Sequence, residues 1–428
     1  MRTVLVTGLG GAGRTTLAAA TALAEARRGR RVLLLTAGGG AADAVLGVRP
    51  EAGAPVAVAE GLWVARVDSG DRFRREFLAF QERAGAALDF FGATPLDEDE
   101  LTELPGSPEF ALLYALRAAH EAQAWDLVVA DMPPAAETVL LLGLPEQARR
   151  YLRRLLPPER QAARALRPVL AQLAGAAMPA QKLYEAAERW ERELAAVQRM
   201  IDDPGTTVRI VTEAGPVAVA GLRAIRAGLA LYGHRTDAVL VNRLLPTNSA
   251  EPFLAGLSGR QQTALKALRE EFGPVPVREV PHLGFDPQGP DELAELIDGT
   301  TGEVGAADGS APDDGGGALA GHGEYGTPPS AAGDSASYRH VDDDPWIVED
   351  RLAADGLLLW KIPLPGADRD GLGLVRRGDE LIVTVGRFRR IRTLPSALRR
   401  CTVSGAGLRD GALHVRFAPD PALWPAGR

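Results

Sequence analysis

The chain has 428 residues, of which 46% are hydrophobic and 24% are charged, values that are ordinary for a globular protein of two or three domains. Its formal net charge of −8 excludes a general electrostatic attraction to nucleic acid, and no apolar run approaches the ~18–20 residues that a transmembrane helix needs. The only cysteine, Cys401, excludes internal disulfides and a zinc site made of paired cysteines, so we expect a reducing, cytoplasmic compartment.

The first predicted elements are a strand, a glycine-rich loop, a helix and a second strand. The strands are expected at 3–7 and 32–35, and the helix at 15–28. The loop after the first strand, residues 8–16, reads GLGGAGRTT. This order is typical of a βαβ unit at the start of a parallel sheet.

The loop fits the phosphate-binding pattern G-x-x-x-x-G-K-[ST], except that Arg14 stands where the lysine belongs. Backbone N–H groups of the glycines would surround phosphate oxygens, with the positive end of the helix dipole behind them. Thr15 would hold Mg²⁺, and Arg14, the candidate catalytic cation, would have to reach the β- and γ-phosphates. The candidate nucleotide-binding residues of the loop are Gly8, Gly10, Gly11, Gly13, Arg14, Thr15 and Thr16.

The same glycines also match the dinucleotide fingerprint GxGxxG. That motif requires an acid near the end of the second strand, and the segment from Thr36 to Ala42 contains none, so we favour the phosphate loop. The chain has only three lysines, which makes an arginine at position 14 partly a matter of composition. The chemistry still differs, because guanidinium is a wide planar fork and ammonium is a compact point charge.

An apolar strand that ends in an acid is predicted at 125–131. This form matches a Walker B segment, whose aspartate, Asp131 here, supports Mg²⁺. The alternative is an ordinary buried strand with a surface aspartate at its end. Together with the phosphate loop, the segment favours a magnesium site formed by Thr15 and Asp131, with Asp131 as a second candidate catalytic residue.

The middle of the chain is predicted to be helical and then to return to an α/β pattern. Residues 146–204 carry one apolar face, which either packs on neighbouring helices, the alternative we favour, or binds a client protein. Strands are expected at 208–212, 238–242 and 275–280, and helices at 217–232 and 260–272. The predicted fold of residues 1–298 is a P-loop NTPase with a doubly wound, mainly parallel sheet and a helical subdomain at about 146–204.

The composition changes again after residue 298. Residues 299–344 are rich in Gly, Ala, Asp, Ser and Pro, which predicts a disordered acidic linker. Short strands separated by turn residues are expected at 357–362, 372–375, 380–385 and 412–417. Residues 345–428 are therefore predicted to form a separate all-β sandwich domain.

Four segments together resemble the ArsA family of ATPases, which includes the arsenite-pump ATPase and the targeting factor for tail-anchored membrane proteins. They are the loop GLGGAGRTT, the segment Pro105–Glu109, the Walker B and second-switch segment 131–142, and the segment Val241–Pro246. The resemblance covers roughly residues 1–298 and implies ATP and Mg²⁺ as ligands, with Asn242 as the contact to adenine. Residues 356–419 resemble a small heat-shock (α-crystallin) domain, which some bacterial members of that family carry at the C-terminus.

The chain departs from that family at the positions that would act on the γ-phosphate. The family's two loop lysines are Leu9 and Arg14 here, and residues 37–42 lack the first-switch aspartate. The second-switch pair Gly-His is Ala136 and Glu137. We therefore expect a degenerate site that binds nucleotide weakly and has lost most or all ATPase activity.

Three functional interpretations remain. The leading one is a pseudo-ATPase subunit that pairs with a copy of itself or with an intact relative and handles a protein client. The second is an active ATPase in which Arg14 replaces the lysine and Asp43 or Glu137 positions water. The third is an ATP-independent client-binding protein. Arsenite transport is disfavoured, because metalloid binding needs several cysteine thiolates and Cys401 stands alone.

Overall fold

The computed structural model describes most of the chain. The described residues are 1–37, 40–50, 54–67, 78, 97, 100, 107–155, 179–300 and 346–424. Among them, residues 1–300 and 364–393 form one compact unit, and residues 346–363 and 394–424 form another. The predicted linker, 299–344, and the predicted domain boundary at 345 lie almost entirely outside the described residues.

The first unit is built on an eight-stranded sheet with the order β3-β4-β2-β5-β1-β6-β7-β8. All neighbouring strands are parallel except the pair β3 and β4. The strands are β1 (Arg2–Gly8), β2 (Val32–Thr36), β3 (Val56–Ala59), β4 (Leu62–Arg66), β5 (Leu127–Pro134), β6 (Thr206–Glu213), β7 (Thr236–Leu244) and β8 (Val277–Pro281). The central strands are continuous apolar runs, as expected for strands that are covered on both faces.

Eight described helices accompany this sheet. They are α1 (Arg14–Ala26), α2 (Gly40–Leu46), α3 (Ser107–Ala122), α4 (Ala135–Leu155), α5 (Pro179–Asp202), α6 (Pro216–Tyr232), α7 (Pro252–Phe272) and α8 (Gly289–Asp298). Helix α1 lies in the core because its side chains are small or apolar, and it packs with Val4, Leu34 and Val129 of the sheet. At the start of α7, the Glu251 carboxylate accepts a hydrogen bond from the Leu254 backbone N–H at 2.7 Å and caps the helix.

The C-terminal residues form two antiparallel sheets. The first is a meander of β11 (Leu372–Arg377), β12 (Glu380–Val385) and β13 (Phe388–Thr393), which belongs to the first unit. The second unit contains β9 (Ile347–Arg351), α9 (Leu352–Asp355), β10 (Leu357–Pro363), α10 (Ser396–Arg399), β14 (Cys401–Arg409) and β15 (Ala412–Pro419). Its sheet has the order β14-β15-β10-β9, and Trp360 packs edge-on against Trp346 with ring centroids 5.3 Å apart.

The predicted fold class is confirmed: a mainly parallel α/β sheet is followed by antiparallel β structure. The Walker B strand continues three residues further than predicted, to Pro134. Several elements were not predicted, and most of them are too short to show a clear periodicity. They are β3, β4, α2, α3, α8, β9, α9, β13, α10 and β14.

The predicted helical segment 146–204 is described at both ends, as parts of α4 and α5, while 156–178 lies outside the described residues. On α5, Leu194, Val197 and Ile201 of the predicted apolar face are buried, whereas Trp190 is 47% exposed. Packing therefore accounts for most of this face. Within the described part of the chain, no helix is long and apolar enough to cross a membrane.

Candidate nucleotide site

The phosphate loop lies between the end of β1 and the start of α1. Gly11 and Gly13 have φ values of +78° and +86°, a left-handed conformation that favours glycine. At Gly8, a Cβ atom would lie 1.9 Å from the Val211 carbonyl oxygen, so the close approach of β6 requires glycine there. At Gly10, a Cβ atom would meet no atom within 4 Å, which leaves that side of the loop open. These backbone features agree with a loop that surrounds a ligand.

The end of β5 brings Asp131 to the first turn of α1. The Thr15 hydroxyl donates to Asp131 Oδ2 at 2.7 Å, and the Thr36 hydroxyl at the end of β2 donates to the same oxygen at 3.4 Å. Burial raises the pKa of Asp131, against the opposing effects of the Thr15 hydrogen bond, the Arg14 charge and the Thr36 hydrogen bond. The pair Thr15 and Asp131, predicted as a magnesium site, is thus brought together, and Thr36 is an addition that the sequence did not single out.

The environment of the second carboxylate oxygen of Asp131 shows whether a cation fits beside Thr15. Asp131 Oδ1 is buried and has no hydrogen-bond partner among the described atoms. A buried carboxylate oxygen without a donor is costly, and a hard divalent cation takes oxygen ligands. Thr15 and Asp131 therefore fit Mg²⁺, which would neutralise charge on bound phosphates.

Arg14 points its guanidinium at the Walker B strand. Its Nη1 donates to the main-chain carbonyl oxygen of Met132, one residue beyond Asp131. A lysine at this position would carry its charge at the end of a flexible stem, whereas the arginine fork ties the first turn of α1 to the end of β5. Thr16, the next residue of the predicted set, is half-buried in the same turn of α1.

Asn242, near the end of β7, contacts the phosphate loop directly. Its Nδ2 donates to the Ala12 carbonyl oxygen at 2.9 Å, and a Cβ atom at Gly13 would lie 2.4 Å from the same nitrogen. Asn242 is 5% exposed. Its contact with adenine, implied by the family resemblance, stays a prediction, and the structure adds a second role in fixing the shape of the loop.

Arg243 is a loop contact that sequence reasoning missed. It has a φ of +58°, unusual for a residue other than glycine, and its Nη1 donates to the Gly11 carbonyl oxygen at 3.2 Å. Gln261 of α7 supports this conformation, because its Nε2 donates to the Arg243 carbonyl and its Oε1 accepts from the Leu245 backbone N–H. The guanidinium also pairs with Glu213 and Asp286. The sequence feature that could have pointed to this contact is a charged residue, Arg243, between apolar residues at the end of a predicted strand.

The two switch regions differ in how far they can be described. Gly38 and Gly39 of the first switch lie outside the described residues. The suggested substitute Asp43 pairs with Arg49 at 3.6 Å, and Glu137 is exposed. No hydrogen bond or ion pair joins either acid to Asp131 among the described residues, so their role in positioning water stays a prediction.

A threonine pair that sequence reasoning missed ties the start of α4 to β1. The hydroxyls of Thr7 and Thr138 are 3.0 Å apart, and both donate to the Pro133 carbonyl oxygen. Both threonines are fully buried. The second-switch segment is therefore attached to the strand that leads into the phosphate loop.

Comparison with known proteins identifies the two parts of the chain. The family model for the anion-transporting ATPase ArsA matches residues 1–299, and the model for the HSP20-like domain found in ArsA matches residues 355–417. An uncharacterized protein of Streptomyces coelicolor is 51% identical over the full length of both chains. A Mycobacterium tuberculosis protein is 30% identical over 99% of this chain and 97% of its own length.

A more distant relative carries a functional name. The "Putative arsenical pump-driving ATPase 1" of Aquifex aeolicus is 25% identical over 93% of this chain and 95% of its own length. The order of loop, Walker B strand and Asn242 in the structure agrees with the segments on which the family resemblance rests. This chain belongs to the ArsA ATPase family and carries the C-terminal HSP20-like domain found in that family.

Proposed function

We propose that this protein binds magnesium ATP in the described site, hydrolyses it slowly or not at all, and acts as a nucleotide-responsive subunit that handles a protein client. The observation that carries the proposal is the division of the site into two parts. The loop backbone and the pair Thr15 and Asp131, which would hold magnesium, are in place. The cation at position 14, in contrast, donates a hydrogen bond to Met132 of its own chain.

Binding is supported by the geometry of the loop. Open space beside Gly10, the left-handed glycines and the unpaired oxygen of Asp131 together leave room and ligands for a phosphate with its cation. Gly8, Gly10, Gly11, Gly13, Arg14, Thr15, Thr16 and Asn242 are the residues proposed to contact the nucleotide.

Slow turnover is supported by what the site lacks. Charge stabilisation by Lys or Arg is a major contribution to phosphoryl transfer, and each tenfold loss in rate corresponds to about 1.4 kcal/mol of barrier. Leu9 is uncharged, and residues 37–42 contain no acid that could orient an attacking water. We therefore infer a rate far below that of a complete site.

The partner and the client are proposed on the family resemblance. Because Leu9 replaces a lysine that reaches a second subunit's nucleotide in that family, we propose either a homodimer or a heterodimer with an intact relative that supplies the lysine. The arsenical pump named for the distant relatives is not proposed here, because metalloid capture needs several thiolates and Cys401 is alone and buried. A size measurement that finds only monomer, with and without nucleotide and such a relative, would refute the pairing.

Calorimetric titration with ATP and Mg²⁺ tests the binding. We expect saturable binding by the wild type and at least a tenfold weaker affinity for Asp131→Ala, about 1.4 kcal/mol. The same titration without Mg²⁺ should differ little between the two proteins, since Asp131 acts through the cation. Equal affinities with Mg²⁺ would refute the assigned site.

Steady-state phosphate release separates a pseudo-ATPase from an active enzyme. We expect a rate that does not exceed that of Asp131→Asn, which serves as the background from contaminating ATPases. A wild-type rate well above this background would favour the active ATPase. No binding at millimolar ATP, together with suppression of client aggregation, would favour the ATP-independent alternative.

A further inference from the structure

We propose that the β11–β13 sheet packs on helix α4 and fixes its position. This contact orders the Walker B end of the site for the binding of a magnesium nucleotide. In this assignment Arg150 and Glu380 are positioning residues, which act on the site through the helix. The inference rests on the proposed nucleotide binding, and it adds a role for a part of the chain that is remote from the site in sequence.

Helix α4 is attached to the nucleotide site at its first turn. It begins at Ala135, directly after the strand that carries Asp131, and Thr138 in its first turn contacts Thr7 of β1. A shift or loosening of this helix would therefore change the position of the carboxylate that would hold Mg²⁺. The helix is a rigid element through which a distant contact can act on the site.

The middle of α4 is ion-paired with the sheet. Arg150 makes two hydrogen bonds with Glu380 of β12, from Nε to Oε1 at 2.8 Å and from Nη2 to Oε2 at 2.7 Å. Glu146 accepts from Arg390 Nε of β13 at 3.0 Å. Hydrogen bonding to Glu380 raises the pKa of Arg150, and the same bond lowers the pKa of Glu380. Both pairs are partly shielded from solvent, and the first has the paired geometry that makes arginine–carboxylate contacts strong.

Helix α6 forms the second attachment of the sheet. The Phe388 ring packs against Gly228, where a Cβ atom would lie 2.6 Å from Phe388 Cδ2. Arg390 is 7% exposed and donates to the Leu231 carbonyl oxygen at 2.9 Å. The Tyr232 hydroxyl donates to the Arg389 carbonyl oxygen at 2.8 Å. Buried polar groups with this many partners specify one position for the sheet.

A cavity lies next to the phosphate loop and is lined by residues of α4, α6 and the sheet. It has a volume of about 550 Å³ and is lined by Leu9 and residues 134–136 and also by residues 385–388, which include the turn between β12 and β13. Leu9 lines this cavity and lies beside Gly221 of α6, with its Cδ atoms 3.7 and 3.8 Å from the position of a Cβ there. The sheet thus holds the second half of α4, while the cavity leaves Ala135 and Ala136 of its first turn accessible beside the phosphate loop. A site that is ordered before the ligand arrives binds it with less loss of conformational entropy.

The reversed-charge variant Glu380→Arg tests this coupling in the full-length protein. It places a cation against Arg150 and should weaken magnesium ATP binding about fivefold or more in calorimetry, with unchanged stoichiometry. Unchanged stoichiometry separates a change in affinity from partial unfolding. The swapped pair Arg150→Glu with Glu380→Arg should recover part of the affinity, because only the longer contact of position 380 with Arg154, 3.7 Å in the wild type, stays unfavourable. A swap that recovers none of the affinity would overturn the assignment of this pair.

Glu191→Arg is the matched control, because it makes the same reversal of charge. Glu191 of α5 accepts from Arg149 and Arg153, which flank Arg150 on the same helix, and the ion pairs described for these two arginines join α4 to α5 rather than to the sheet. This variant should bind magnesium ATP within twofold of the wild type. A loss as large as that in Glu380→Arg would overturn the proposal, because the effect on binding would then not depend on the contact of α4 with the sheet.

Hydrogen exchange of the wild type provides a second measurement that needs no variant. Coupling between binding and the docked sheet acts in both directions, so saturating magnesium ATP should slow exchange of the β12 and β13 amides. Binding by the wild type without protection of these strands, or equal affinities for wild type and Glu380→Arg, overturns this inference alone. No binding by the wild type overturns both this inference and the proposed function.

Discussion

At the scale of single residues, Arg14 and Asp131 determine what the site can do. The guanidinium of Arg14 donates to the Met132 carbonyl oxygen, so its charge lies at the end of the Walker B strand. We predict that phosphate release by Arg14→Lys stays within about tenfold of the Asp131→Asn background, or about 1.4 kcal/mol of barrier, because Leu9 and the acid-free segment 37–42 remain. Phosphate release measured against the Asp131→Asn background checks this, and a hundredfold rise would show that position 14 alone limits the rate.

Asp131 has a pKa above its ordinary value because it is buried. In a carboxyl group whose folded pKa is raised, the charged form opposes folding. Its contribution is therefore favourable below the unfolded pKa and is lost as the pH rises through the folded pKa. We predict that Asp131→Asn is more stable than the wild type at neutral pH without nucleotide, by on the order of 1 kcal/mol. Denaturant unfolding should show this gain shrinking as the pH falls toward 4, and a variant less stable at all pH values would contradict it.

At the scale of elements, one buried ion-pair cluster joins three central strands. Asp237 of β7 accepts from the fully buried Arg209 of β6 at 2.8 Å and pairs with Arg2 of β1 at 3.5 Å. We predict that Asp237→Ala destabilises the protein by about 3–5 kcal/mol, because it removes a buried carboxylate that pairs with the buried guanidinium of Arg209. Denaturant unfolding measures this loss.

An exposed ion pair provides the control for that prediction. Arg27 and Asp298 are 3.0 Å apart, with their side chains 46% and 65% exposed. Asp298→Asn should change the free energy of unfolding by less than about 1 kcal/mol, because solvent already screens the pair. Similar losses for both variants would mean that burial does not decide the strength of these pairs.

Elements with a clear pattern could be predicted from the sequence, and elements held by tertiary contacts could not. β1, β2 and β5 are continuous apolar runs, and the glycine loop has a fixed spacing, so the start of the sheet and the pair Thr15 and Asp131 followed directly. β13 reads FRRIRT and carries charges that would suit a solvent-exposed strand, yet Arg390 is buried against Glu146 and Leu231. Its partners are far away in the sequence, so no local pattern could identify them.

The same limit applies to the site. Asn242 was predicted as a ligand contact, whereas its bond to the Ala12 carbonyl depends on the register of β7 beside β6. The backbone of Arg243, whose side chain reaches Gly11, adopts a positive φ that is rare for arginine and that no local pattern predicts. Thr7 and Thr138 meet because β1 and β5 are neighbours in the sheet. Motif spacing predicts residue types at a site, and strand order determines which of them touch.

At the scale of the whole molecule, the first compact unit is discontinuous, because residues 364–393 join residues 1–300. Gly228→Ala tests this union. Alanine usually stabilises an exposed helix position relative to glycine, but here its Cβ would collide with the Phe388 ring. We predict a loss of about 1–3 kcal/mol and faster hydrogen exchange in β12 and β13.

Gly259→Ala is the matched helical control, since a Cβ there meets no atom within 4 Å. We expect it to gain up to about 1 kcal/mol in denaturant unfolding. A gain in both variants would mean that the sheet does not press on α6.

The discontinuous unit also has a consequence for the order of synthesis. The ribosome synthesises the first 300 residues before it synthesises the strands that complete their unit. The last of those strands ends at Thr393. At 5–20 residues per second, this delay lasts on the order of ten seconds. During that interval the faces of α4 and α6 that later receive Phe388 and Arg390 are uncovered on the nascent chain. The newly made protein therefore passes through a stage in which it exposes surface that the finished protein buries.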